Sequence, residues 1–181
     1  MKDKSSRPDR ARGRAFDELR PLRIVPDYLD FADGSAFIEM GRTRVLAAAT
    51  IEEKVPPFLK GGGRGWVTAE YAMLPRATEK RTPRDRFPGH ASGRSHEIQR
   101  LIGRSLRAVT DLRGLGERQI ILDCDVIQAD GGTRVAAINA ACVALALALK
   151  KLYDEKTIDS MPLLNLVGAV SVGIVGGEAR L

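Results

Sequence analysis

The sequence predicts an α+β fold, or a β-rich form of α/β, on three observations. Strand-like and helical runs alternate irregularly along a single chain of 181 residues. Residues 95–112 carry Ile98, Leu101, Ile102, Leu106 and Val109 at helical spacing, so one face of a helix is apolar. Residues 133–153 are apolar nearly all round, the pattern of a core helix covered on most sides.

The elements follow in order. Residues 1–16 are polar and arginine-rich and read as a basic, mobile N-terminal arm, leaving 17–181 as one domain. Strand-like runs follow at 22–25, 35–40 and 43–51, the last two joined by a tight Gly41-Arg42 turn that reads as a hairpin. Lys60-Gly-Gly-Gly-Arg-Gly65 is too glycine-dense for helix or strand. Residues 66–73 are strand-like. Residues 75–93 mix prolines, glycines and arginines and read as one long loop, a length that usually signals function. In the helix at 95–112, Arg100, Arg104 and Arg107 fall away from the apolar face, and Arg94 lies just before the first turn. Strands are predicted at 119–128 and, after the core helix, at 167–175, where Gly168 and Ala169 imply close packing. Gly176-Gly177 then turns the chain.

Composition narrows the class. Hydrophobic residues make up 44% and charged residues 29%, the balance of a soluble globular domain. The longest apolar run, 135–149, is shorter than the ~20 residues that span a bilayer. The N-terminus has no apolar stretch of the signal-peptide kind. Cys124 and Cys142 sit in apolar elements without C-x-x-C spacing, which favours buried free thiols in a reducing, cytoplasmic setting. Two histidines are too few for a histidine-rich metal site.

Charge is clustered. The chain carries +6 overall, and residues 76–107 hold nine basic residues against three acidic ones, the same excess in a sixth of the length. Such clustering points to a polyanion, most simply nucleic acid, with a solvated surface as the alternative.

The most specific stretch is Asp123-Cys-Asp-Val-Ile-Gln-Ala-Asp-Gly-Gly-Thr-Arg134. A strand runs into Gly131-Gly132 and a helix starts near Thr133. That brings free backbone N–H groups, a hydroxyl and a guanidinium to a helix N-terminus, the arrangement that holds a phosphate. The dipole end contributes roughly 0.3–1 kcal/mol toward an anion. The alternative is a glycine turn in which Thr133 merely caps the helix.

Six segments in register resemble the ribonuclease PH family. They are Asp17-Glu-Leu-Arg-Pro21, Thr50-Ile-Glu-Glu-Lys-Val-Pro-Pro57, Gly65-Trp-Val-Thr-Ala-Glu-Tyr71 and Met73-Leu-Pro-Arg-Ala-Thr78, then Gly93-Arg-Ser-His-Glu-Ile-Gln-Arg-Leu-Ile-Gly-Arg104 and the Asp123–Arg134 stretch. The resemblance implies a ribosomal protein S5 domain 2-like β-α-β fold, assembled as a hexameric ring, a trimer of dimers. It implies phosphate-dependent 3′→5′ exoribonuclease activity on tRNA precursors and other RNA 3′ ends, with inorganic phosphate as co-substrate and Mg2+ as metal. Matched residue by residue, phosphate binding falls on Arg94, Gly132, Thr133 and Arg134, and RNA binding or assembly on Arg76, Arg81 and Arg84. The resemblance also places the metal-holding aspartates in an acidic segment beyond Leu181, so the catalytic domain here is expected to be C-terminally incomplete. The rival expectation is a non-catalytic RNA-binding or ring-assembly subunit. Arg7-Pro-Asp-Arg-Ala-Arg-Gly-Arg14 departs from the family's N-terminal pattern. Asp123 and Asp125 share one side of their strand and read as solvent-facing or salt-bridged carboxylates rather than a metal pair.

Overall fold

Alternation of period two builds the sheet. In the computed structural model, which describes residues 14–83 and 93–181, strands β2 (Gly34–Met40) and β3 (Thr43–Glu52) pair antiparallel across the two-residue Gly41-Arg42 turn. Strand β1 (Leu22–Pro26) extends the sheet beyond β2. On the other side β3 pairs antiparallel with β5 (Gln119–Gln128), and β5 pairs parallel with β4 (Trp66–Met73). The order is β1-β2-β3-β5-β4. Parallel neighbours need a long crossover. Helix α1 (Gly93–Arg107) supplies it, so β4-α1-β5 is the β-α-β unit. The N-terminal arm up to residue 13, and the part of the arginine-rich loop containing Arg84, lie outside the described residues.

One face of the sheet is the core. Ile38, Val45, Val67, Ile120, Leu122 and Val126 alternate inward and carry no exposed surface. Each such burial contributes ~1.5–3 kcal/mol. Helix α2 (Thr133–Asp154) lies across β2 and β3, and α1 packs on β4 and on α2. Ala136, Ala140, Ala144 and Ala148 recur every fourth residue and are fully buried, a ridge small enough for helix and sheet to approach closely. A Cβ at Gly34 would stand 2.3 Å from the Ala144 carbonyl oxygen. At 22 residues α2 is long and apolar enough to cross a membrane by length and composition, longer than the 135–149 run suggested. In this fold it is mostly buried and forms the core.

Two expected elements differ. The helix expected over 95–112 begins earlier, so Arg94 lies inside its first turn, and it stops at Arg107. Beyond it Val109 and Thr110 leave helical geometry: Leu164 N–H donates to Val109 O, Asp111 N–H donates to Pro162 O, and Thr110 bridges Leu163. The strand expected over 167–175 shrinks to β6 (Gly173–Val175), paired with β7 (Glu178–Arg180). A strand needs a backbone ladder. Here Ala169 instead exchanges both of its backbone hydrogen bonds with the side-chain amide of Asn139, at 2.7 and 3.0 Å. Arg107 also departs from the expected solvent-side row. Its guanidinium lies 4.3 Å over the Trp66 ring and donates to Val67 O at 2.8 Å, and burial lowers its pKa.

Candidate anion-binding site

The loop between β5 and α2 is shaped by two successive left-handed glycines, Gly131 (φ 79°) and Gly132 (φ 70°, ψ 22°). A left-handed residue followed by a right-handed helix turns consecutive N–H groups to one side, a concavity that suits anions. Gly132 is the N-cap, and no side chain among the described residues caps it. The first helical bond is Ala136 N–H to Gly132 O at 3.0 Å. The donors ahead of it are the groups a helix N-terminus offers to an anion.

The loop is braced from the sheet. The Thr43 hydroxyl, fully buried, donates to Gly131 O at 2.6 Å and accepts from Asp130 N–H at 3.0 Å. Arg20 Nη1 donates to Asp130 O at 2.6 Å and to Gly131 O at 3.2 Å. Gln128 Nε2 donates to Arg42 O at 2.7 Å, tying the loop's entry to the β2–β3 turn. The β3–β5 register shifts between Arg44 and Val45, a bulge one step before the loop.

Thr133 does not cap the helix. Its hydroxyl accepts from Tyr71 Oη at 2.8 Å, and both residues are buried. Burial pushes the Tyr71 phenol above its usual range, while the Thr133 bond and the positive charges of Arg94 and Arg134 pull the other way. The phenol therefore stays a donor at neutral pH, and Thr133 keeps its own proton to give to a ligand. Arg134 Nη1 meets Glu97 Oε1 at 3.1 Å, which fastens the first turn of α2 to that of α1. Arg94, Gly132, Thr133 and Arg134 thus gather at one end of the sheet, where both helices begin.

The arginine-rich loop starts beside them. Ala77 is buried, and its carbonyl accepts from Ala129 N–H at 2.8 Å, at the entrance of the glycine loop. Thr82 N–H closes the turn onto Pro75 O at 2.9 Å. Arg76 and Arg81 are exposed on it, and Arg76 donates to Glu79 O.

On the opposite sheet face Glu70 stands across from Asp123, with Asp125 next along β5. Asp125 is exposed and Asp123 half-buried, and burial followed by the Glu70 and Asp125 charges raises the Asp123 pKa. Among the described residues Asp123 therefore sits beside like charges. Among the described residues no group of three or more His, Cys, Asp or Glu converges as a metal site. Cys124 and Cys142 are buried free thiols, and burial pushes Cys124 far up.

Three residues of this site carry no role in the sequence reading: Arg20, Thr43 and Tyr71. Arg20 and Tyr71 stand in two of the resembling segments, but nothing in their local pattern says that they reach the glycine loop. The contact spans 110 positions for Arg20 and 62 for Tyr71.

The chain has relatives among known proteins. The sequence profile described as "3' exoribonuclease family, domain 1" matches residues 18–151. A curated relative, ribonuclease PH of Solibacter usitatus (strain Ellin6076), is 56% identical over 172 residues, covering 95% of this chain and 72% of the relative. Among solved structures, rice Rrp46 superposes with a TM-score of 0.74 at 25% identity, covering 94% of this chain and 72% of that one. An Archaeoglobus fulgidus exosome chain, in a structure with RNA bound to the active site, gives 0.77 at 24% identity, covering 95% and 69%; at that identity the likeness shows the fold.

Proposed function

The chain belongs to the 3′ exoribonuclease family, and on that premise we propose that it is a phosphate-dependent 3′→5′ exoribonuclease of the ribonuclease PH type that trims the 3′ ends of tRNA precursors. The observation that carries this reading is the left-handed glycine pair opening α2 with Arg94 and Arg134 beside it. The chemistry follows from those groups. An oxygen of inorganic phosphate attacks the phosphorus of the terminal diester. The bond to the preceding 3′ oxygen breaks, that oxygen takes up a proton, and a nucleoside diphosphate leaves from a chain one residue shorter.

Nucleophile and target are both anionic, so the barrier is largely one of repulsion and aim. Two guanidinium groups and the helix N-terminus offset the repulsion and orient the phosphate in line. Charge spreading over the transferred phosphoryl oxygens in the transition state draws further on the same donors. Arg76 and Arg81, with Arg84, guide the incoming RNA strand through its backbone phosphates. Mg2+ belongs to this reading by family resemblance. Among the described residues no group of three or more His, Cys, Asp or Glu converges to hold such an ion, and Glu70, Asp123 and Asp125 lie on the sheet face opposite the buried one. A hexameric ring built as a trimer of dimers, action on other RNA 3′ ends, tRNA binding and a cytoplasmic setting complete the proposal.

The test is product analysis. The protein is incubated with an RNA carrying a short 3′ extension, with and without inorganic phosphate. The expected products are nucleoside diphosphates formed only with phosphate. Nucleoside monophosphates formed without phosphate would mean that water is the nucleophile and would overturn the reading.

A further inference from the structure

We propose that Arg20 is a positioning residue of the anion site, holding the glycine loop in the conformation that aims its N–H groups at phosphate. The inference rests on the phosphate reading above and adds a residue outside the anion-binding set. Two carbonyls of the loop accept from one guanidinium nitrogen, Asp130 O at 2.6 Å and Gly131 O at 3.2 Å. In a trans peptide the carbonyl and the next N–H point in opposite directions. With the Asp130 and Gly131 carbonyls turned toward Arg20 and Thr43, the N–H groups of Gly131 and Gly132 turn away from them.

The loop needs such a brace. Gly131 and Gly132 each adopt positive φ, and glycine crosses to negative φ with little penalty, so either peptide is free to flip. A flipped peptide would offer a carbonyl oxygen to an anion in place of an N–H. Thr43 holds one carbonyl, that of Gly131, whereas Arg20 holds two, those of Asp130 and Gly131.

The slot around Arg20 is built for it. A Cβ at Gly131 would stand 3.1 Å from Arg20 Nη2, and one at Gly41 would stand 3.2 Å from Arg20 Cδ. Pro21 O, next in the chain, accepts from Gly41 N–H at 2.9 Å and fixes the backbone from which the side chain reaches. Arg20 is only partly buried, and its partners are neutral carbonyls, so its removal leaves no buried charge behind.

The experiment uses the full chain as wild type, Arg20→Ala and Arg20→Lys. Inorganic phosphate is titrated while the melting temperature is followed, and the KM for phosphate and for RNA are measured in phosphorolysis. Arg20→Ala is expected to weaken phosphate binding and raise its KM about tenfold. The RNA KM and the phosphate-free melting temperature should change little. Arg20→Lys keeps a charge and a donor, folds like wild type, and should fall between the two. Equal phosphate affinity in wild type and both variants would overturn the role of Arg20. So would a loss of melting temperature and RNA binding in parallel with phosphate, because that marks a general structural prop. A wild-type protein that gains no stability from phosphate overturns the underlying phosphate reading, and Arg20 falls with it.

Discussion

Arg134 has two partners to serve. In the structure it meets Glu97 at 3.1 Å, and in the proposed reaction it grips phosphate. The pair is well exposed, so it contributes little to stability. Its value is to leave the guanidinium oriented at the helix entrance. Replacing Arg134 by Ala should therefore spare the fold and raise the KM for phosphate about tenfold or more, with Arg94→Ala acting in the same direction. Steady-state kinetics against phosphate check this, and an unchanged KM in both variants removes the assignment. Tyr71 differs, because its hydroxyl is buried against that of Thr133. Tyr71→Phe should cost ~0.5–1.5 kcal/mol of stability, read by denaturant titration, and weaken phosphate binding through a freely turning Thr133 hydroxyl. Cys124 is buried and its thiol strongly protonated, so alkylation by iodoacetamide should be negligible until denaturant is added.

At the scale of elements, the loop that begins at Arg76 is anchored rather than loose where it is described. The Ala77–Ala129 bond ties it to the glycine loop, so charge placed on it acts near the proposed reaction centre. If it guides RNA, affinity should fall steeply with salt. Neutralising Arg81 and Arg84 together should flatten the dependence of log affinity on log salt by up to ~1.4, at about 0.7 per single-strand contact. An unchanged slope accompanied by loss of oligomers would make the loop an assembly element instead. Helix α1 gives a packing counterpart. Ile98, Ile102 and Leu106 are fully buried against β4 and α2. Ile102→Ala should cost ~2–5 kcal/mol, well above any change on the arginine side of the same helix. Calorimetric melting of both kinds of variant checks the ordering.

Across the whole molecule, what the sequence makes legible is what local pattern encodes. The bounds of β4 and β5 follow from alternation, the β2–β3 hairpin from Gly41-Arg42, and α2 from its continuous apolar run. The end of α1 and the stretch after Leu163 escape such reading, because both are decided by distant partners: residues 162–164 for one and Asn139 for the other. The anion loop is likewise visible in its glycines, whereas Arg20, Thr43 and Tyr71 reach it only through tertiary folding. Long-range placement also sets two aspartates against each other in their response to pH. Burial would raise the Asp33 pKa, but hydrogen bonds from Lys151, at 2.6 Å, and from Ile51 N–H hold it below the usual 3.8. The fold binds that proton more weakly than the unfolded chain does. Asp33 therefore stabilises the fold above pH 3.8, and its contribution is lost as the pH falls through the folded value. Asp123 is shifted upward by burial, Glu70 and Asp125, so the fold binds its proton more tightly. Its ionised form costs stability at neutral pH, and that cost disappears as the pH drops through the raised value toward 3.8. Asp123→Asn should then raise the melting temperature at pH 7, with the gain shrinking on acidification. Asp33→Asn should lower it at pH 7, with the loss closing only below pH 3.8. Melting curves of the two variants across pH 3–8 decide the matter. A gain from Asp123→Asn that persists undiminished at the acid end would mean that its neighbours do not disfavour the charge, and the acidic face of the sheet would need a different account.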